Sequence, residues 1–288
     1  MPTPKLFSPG PVDVSPETFA AMSHTMIGHR GSDFEQLYSS LQPGLKEIFG
    51  TERPVFLSTS SAWGVMEAAL RNLVQKKVLC LCCGAFSDKW IDVAKKCGFE
   101  AEAIQVEWGE AIDPEVVRAK LSEGGFDTVT FIHSETSTGV LNDLEAVSKV
   151  VKSFPDTMLV VDSVSSLSTV DIDMDKHGID VCLAGVQKAL ALPPGLALFA
   201  VSDAAMARAK TIENRGYYFD FHEFAKNDKK NNTPTTPCIS LLFGLQFMLS
   251  EIAKEGFAAR KKRHAKTNAM IHAWGAKHEF ELFAPEGH

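Results

Sequence analysis

Lys188 stands alone as a cation in an apolar run. From Val181 to Val201 the sequence reads VCLAGVQKALALPPGLALFAV, and Lys188 is the one residue there that ordinarily carries full charge at neutral pH. Loss of hydration in such a stretch favours the neutral amine and lowers its pKa. A neutral lysine is a nucleophile that can condense with a carbonyl. A lysine that lays its stem along an apolar surface and keeps its ammonium in water would have the same local sequence. Its neighbours have to decide between the two.

Four further polar groups follow apolar runs. Ser58, Thr59, Ser60 and Ser61 come after Val55 to Leu57 and directly before a helical pattern. Hydroxyls and unpaired N–H groups at the positive end of a helix suit a phosphate, although plain N-capping needs only one of them. Gly84-Ala85-Phe86 places an aromatic ring where it could lie on a flat ligand or simply pack in the core. Glu135-Thr136-Ser137-Thr138-Gly139 is a polar loop or a turn. Asp162 ends the run from Met158 to Val161; it could hold a pyridinium nitrogen protonated, or cap a strand-to-loop turn. Each has an ordinary explanation singly. Their joint occurrence at successive strand ends, upstream of Lys188, is much less easily explained by capping and packing.

The elements that must position these groups are legible in outline. Phe34, Leu37, Leu41, Leu45 and Ile48 recur at helical spacing and predict a helix over 33–49, despite Pro43 and Gly44. Strand patterns at 55–57, 78–82, 101–106, 128–133 and 158–162, with two apolar runs flanking Lys188, alternate with helical patterns at 63–73, 87–96, 114–121 and 144–153. Asp113 and Pro114 give an N-cap and first-turn signal. The alternation predicts an α/β fold, a mainly parallel seven-stranded sheet with helices on both faces and its ligand beyond the carboxyl ends of the strands. Residues 1–30, rich in proline and glycine, read as an ordered loop, 226–237 as a polar linker, 239–278 as a long helix and 280–288 as a strand just begun. On this reading 1–237 is a large domain and 238–288 the start of a small C-terminal α+β lobe that is incomplete.

Composition excludes other classes. A net charge of -7 and a pI near 5.7 over 288 residues argue against an electrostatic grip on nucleic acid or an anionic membrane. Arg260 to Arg263 is a basic run inside a helical pattern, read as a solvated helix face. No stretch reads as a signal peptide or spanning helix, and the six cysteines form no pair of CxxC motifs. A cytoplasmic protein with reduced structural cysteines and no metal is expected.

The motifs also resemble those of a known family, the class V aminotransferases among the fold type I pyridoxal phosphate enzymes, over nearly the whole chain. Ala184-Gly185-Val186-Gln187-Lys188-Ala189-Leu190 with Pro193-Pro194-Gly195 is similar to the cofactor-lysine segment of alanine-glyoxylate and serine-pyruvate aminotransferases. The segments 135–141 and 161–167 match the same group, whereas Gly84-Ala85-Phe86-Ser87, His29-Arg30-Gly31 and Asn232-Thr233-Pro234-Thr235 are more like phosphoserine aminotransferases. The resemblance implies pyridoxal 5'-phosphate as cofactor, Lys188 as its Schiff-base lysine and Asp162 as partner of the ring nitrogen. It implies Phe86 stacked on the ring, Thr136 near the ring hydroxyl or the carboxylate above it, and Ser60, Ser61 and Gln187 on the phosphate, with Ala62 where a glycine is common. It further implies Asn232, Thr233 or Thr235 reaching the phosphate of a neighbouring subunit, hence a homodimer. His29 and Arg30 fall where relatives meet an anionic substrate tail, or else cap the following helix. The family's arginine for the substrate carboxylate lies beyond residue 288.

Three functions follow from this reading. The first is a transaminase exchanging the amino group of a small amino acid with a 2-oxo acid, of the alanine or serine with glyoxylate or pyruvate type, with phosphoserine and 2-oxoglutarate as the alternative pair. The second is a lyase of the cysteine desulfurase kind, disfavoured because Gln187 and Phe86 stand where those enzymes usually carry histidines. The third is a non-catalytic or inactive fragment.

Overall fold

The computed structural model describes residues 5–285 and Gly287, so the sequence readings at 1–4, 286 and 288 lie outside the described residues. Seven strands make one sheet: β1 (Val55–Ser58), β2 (Lys77–Cys82), β3 (Glu100–Gln105), β4 (Thr128–Ile132), β5 (Met158–Asp162), β6 (Val181–Gly185) and β7 (Ala197–Val201). Their spatial order is β1-β7-β6-β5-β4-β2-β3. The pairs β2 with β3, β2 with β4, β4 with β5, and β5 with β6 are parallel; β7 runs antiparallel to both β6 and β1.

Alternate residues of each inner strand feed two separate cores. On β7, Leu198 and Ala200 join one cluster, while Ala197, Phe199 and Val201 join the other. Burial on both faces is why these strands are continuously apolar rather than alternating. On the first face pack α2 (Ser32–Phe49), α5 (Pro114–Ser122), α6 (Leu144–Lys152) and α10 (Ile239–Glu255). On the second lie α3 (Ala62–Leu73), α4 (Ala85–Lys96), α8 (Asp203–Lys210) and α9 (Phe221–Asp228). A crossover helix on each face is what parallel strand connections demand.

Several boundaries differ from the sequence reading. The segment read as loop at 1–30 contains α1 (Pro16–Met22), whose N-cap Ser15 accepts from Thr18 N and whose proline sits in the first turn. Seven residues are too short for the apolar period to register, and α1 is held by packing against α10. The linker at 226–237 begins inside α9, whose N-cap Asp220 accepts from His222 N. The short α7 (Met174–His177) was hidden between strands. The long C-terminal pattern is two helices, α10 and α11 (Phe257–Lys277), separated at Gly256, which adopts a φ of 80°. No strand forms over the described part of 280–288: Phe280 stacks back on Trp274 with ring centroids 5.8 Å apart, and no neighbouring strand offers it a ladder.

Candidate active site

The polar groups singled out above sit at the carboxyl ends of β1, β2, β4, β5 and β6, and the parallel sheet brings several of them together. Lys188 lies in the turn between β6 and β7, closed by Ala191 N donating to Lys188 O at 2.8 Å, with Ala191 in the left-handed region at φ 48°. The N-terminal segment covers its stem. Val12 N donates to Gln187 O at 3.2 Å, and a Cβ at Gly10 would come within 2.8 Å of Lys188 Cγ. Glycine is therefore the residue that lets this segment pass over the lysine.

Lys188 Nζ donates to Thr136 Oγ1 and, at 2.6 Å, to Ser165 Oγ; the two hydroxyls are 2.5 Å apart. The same nitrogen lies 5.6 Å from the centroid of the Phe86 ring. Burial holds the Lys188 amine below the ordinary lysine range, opposed by the carboxylates of Asp162 and Glu135. The apolar run thus produced a half-buried amine rather than one extended into water.

Asp162 ends β5 with only 4 % of its surface exposed. Its Oδ1 accepts from Val164 N at 2.8 Å, and Oδ2 accepts no hydrogen bond from the described residues. Desolvation pushes its carboxyl up to about 7, against the pull of Val164 N and Lys188. A carboxylate in this position gains from a cationic N–H donor more than from water.

At the end of β1, Ser61 is the N-cap of α3 and gives no side-chain cap, and Ser60 Oγ pairs with Ser58 Oγ at 2.9 Å. The hydroxyl of Ser61 and the carboxamide of Gln187 make no hydrogen bond with the described residues. The first-turn N–H groups at Ala62 are likewise without a cap, which suits an anion.

Two functional groups were not identified from the sequence as site residues. Glu135, fully buried, supports Phe86 from below: its carboxylate accepts from Phe86 N at 3.4 Å, from Ser87 N at 2.9 Å and Ser87 Oγ at 3.0 Å, and from Ser137 N at 3.1 Å. Ser137 Oγ in turn accepts from Ala85 N at 2.9 Å, so one loop satisfies the first three N–H groups of α4. A Cβ at Gly84 would come within 2.5 Å of Glu135 Cγ, which explains that glycine. Ser165 is the second. Serine-rich turns are common, and only the sheet geometry reveals that this one faces Lys188.

The second set of predicted residues forms a separate cluster. Arg30 donates to Asn232 Oδ1 and Thr233 O, each at 3.0 Å, and to Pro234 O at 3.4 Å; Thr233 Oγ1 donates to Thr235 O at 2.8 Å. Neither His29 nor Arg30 caps α2, whose N-cap is Gly31 without a side-chain bond. His29 makes no side-chain hydrogen bond with the described residues.

A cavity of about 860 Å³ opens over Lys188, Thr136 and Ser165, and Arg260, Arg263 and His264 of α11 also line it. The solvated basic face expected of Arg260 to Arg263 is therefore only partly so. Arg260 is 5 % exposed, donating to Ala189 O at 2.5 Å and Ser168 Oγ at 3.3 Å. Among the described residues no cluster of His, Cys, Asp and Glu has metal-binding geometry, and no helix is long and apolar enough to cross a membrane.

The mostly parallel seven-stranded sheet with helices on both faces is that of the fold type I aminotransferases. The model of the family described as aminotransferase class-V matches residues 16–280, and the chain belongs to that family. It is 37 % identical over 290 residues to an uncharacterized aminotransferase of Methanocaldococcus jannaschii, covering 98 % of this chain and 74 % of the relative. It is 34 % identical to the serine-glyoxylate aminotransferase of Arabidopsis thaliana, covering 94 % and 71 %. The crystal structure of alanine-glyoxylate aminotransferase from Nostoc sp. superposes with a TM-score of 0.90 at 28 % identity, over all of this chain and 82 % of that one.

Proposed function

We propose that the protein is a pyridoxal phosphate-dependent transaminase passing the amino group of a small amino acid, serine or alanine, to glyoxylate or pyruvate. The observation that carries this is the half-buried Lys188 amine, held over the Phe86 ring within the field of the Asp162 carboxylate. The choice of substrates rests on likeness to the serine-glyoxylate and alanine-glyoxylate enzymes.

The residues present fit the cofactor. Among the described residues Asp162 Oδ2 at the end of β5 accepts no hydrogen bond, and the Ser61 hydroxyl, the Gln187 carboxamide and the Ala62 N–H donate none. Ser60, Ser61, Ala62 and Gln187 would hold the phosphate, Phe86 the ring face, Thr136 the ring hydroxyl and Asp162 the ring nitrogen. Bound there, the cofactor supplies the carbonyl and the electron sink that transamination needs. Lys188 supplies the amine that holds it and, once released, moves the proton at the substrate α carbon as general base and acid. Asp162 keeps a positive charge opposite itself, which lowers its own raised pKa and favours electron flow towards it. Arg260 holds the Lys188 turn through Ala189 O. A cytoplasmic homodimer, in which Asn232, Thr233 or Thr235 reaches the neighbouring subunit's phosphate, rests on the family resemblance.

Two features favour this reading over phosphoserine. Arg30 already makes three hydrogen bonds to the 232–234 loop of its own chain, and two of the three relatives named above are glyoxylate aminotransferases. The test is absorbance: protein incubated with cofactor should gain a band near the visible edge, lost in Lys188→Ala. Serine or alanine should bleach that band and glyoxylate restore it. A colourless wild-type protein sinks the proposal; a response to phosphoserine alone reverses the choice of substrate.

A further inference from the structure

Ser165 occupies the turn after β5, three residues beyond Asp162. That turn is tied to β6, because Ser163 N and Ser163 Oγ each meet Leu183 O at 2.8 Å. It is closed on itself by Leu167 N donating to Ser163 O at 2.8 Å and Ser166 N to the same carbonyl at 3.1 Å. Within it, Val164 N donates to Asp162 Oδ1 at 2.8 Å. One small framework therefore sets both Asp162 and Ser165, and it brings Ser165 Oγ to 2.6 Å from Lys188 Nζ.

We propose that Ser165 and Thr136 together form a two-hydroxyl rest for the Lys188 amine, and that in the cofactor-free protein Ser165 is an acceptor that favours the protonated form of that nitrogen. The proposal rests on reading Lys188 as the reactive amine. An ammonium carries three N–H donors, and where it is half-buried each gains from a fixed acceptor. A hydroxyl accepts more strongly from the charged amine than from the neutral one. It therefore opposes the loss of the proton that burial favours. The titratable and charged groups around Nζ or on the same cavity are Asp162 on β5, Glu135 in the loop after β4, and Arg260, Arg263 and His264 on α11. The two carboxylates also favour the ammonium and the arginines oppose it. Thr136 is expected to turn towards the cofactor ring, whereas nothing else bonds the Ser165 hydroxyl among the described residues except Thr136 itself. Ser165 thus gives the released amine a fixed place to return to.

Reductive methylation of the full chain, stripped of cofactor, tests this with formaldehyde and cyanoborohydride between pH 6 and pH 10, reading modification of Lys188 by peptide mass spectrometry. Ser165→Ala removes an acceptor that favours the ammonium. The midpoint of the profile is expected to move down by about one pH unit, and the rate at pH 7 to rise about tenfold. Ser165→Thr, which keeps a hydroxyl, is expected to stay with the wild type and serves as the folding control. Superimposable profiles for wild type and Ser165→Ala overturn the proposal. So does a Ser165→Thr profile that shifts as far as that of Ser165→Ala. Neither readout depends on transamination, so failure here is separate from a colourless protein, which removes the reading of Lys188.

Discussion

The carboxylate of Glu135 caps the helix that carries Phe86 from 48 positions along the chain, accepting from both the N–H and the hydroxyl of Ser87. Removing it strands Phe86 N together with the N–H and hydroxyl of the buried Ser87. Glu135→Ala should cost about 2–3 kcal/mol, on the order of 5 °C in unfolding midpoint for a domain of this size. Thermal denaturation beside the exposed control Glu145→Ala checks it; equal midpoints would show that the cap carries no stability.

Asp162 gives a pH signature. Its folded pKa lies near 7, above the ordinary 3.8, so between these values the folded state binds more protons than the unfolded one. Stability from this group is present at low pH and is lost as pH rises through that window. Asp162→Asn should therefore stabilise the cofactor-free protein at pH 8, by about 2 kcal/mol, with the gain vanishing towards pH 4. His133, pushed down to about 4 by burial, has the opposite slope, with stability lost as pH falls from 6.5. It is present in both proteins and cancels in the difference. Denaturant titrations at pH 4.5 and pH 8 measure the contrast. Transamination should nonetheless fall by about a hundredfold or more when the ring nitrogen loses its partner.

Ser61 predicts a discrimination between ligands. Its free hydroxyl at the start of α3 should contact only the phosphate, so Ser61→Ala is expected to weaken pyridoxal phosphate about tenfold. Binding of pyridoxal, which lacks the phosphate, should be unaffected. Fluorescence titration with both ligands decides; a parallel loss for pyridoxal would place Ser61 elsewhere.

How much of this was written locally is uneven. Strand ends were legible because buried parallel strands are continuous apolar runs, and Lys188 and Asp162 are polar interruptions of them. Glu135 and Ser165 were obscured because their roles depend on which strands become neighbours: Glu135 serves α4 only because β4 lies beside β2. Arg30 was visible as a charge but not as the anchor of a loop two hundred residues away. The α1 and α9 helices were missed because caps and tertiary packing, rather than a long period, make them.

Arg260 supplies the remaining prediction. Its guanidinium reaches Ala189 O and Ser168 Oγ, joining α11 to the turns that hold Lys188 and Ser165. Arg260→Met leaves both unpaired and should cost about 2 kcal/mol or more. Arg260→Lys, with a point charge in place of a planar fork, should not restore both contacts. Amide exchange at Ala191 and Leu192 should accelerate in each variant; protection equal to wild type would mean that the lysine turn stands without α11.

The edge position of β1 has a consequence for synthesis. Its sheet partner is β7, and the paired residues are Val55 to Ser58 with Ala200 to Ala197. A ribosome releases β1 about 140 residues before that partner, so the shelf at Ser60 and Ser61 has no floor until the β6–β7 hairpin has emerged, Lys188 included. Contacts this distant in sequence form late. If Ser60 and Ser61 seat the phosphate as proposed, that seat and Lys188 are completed in the same late folding step.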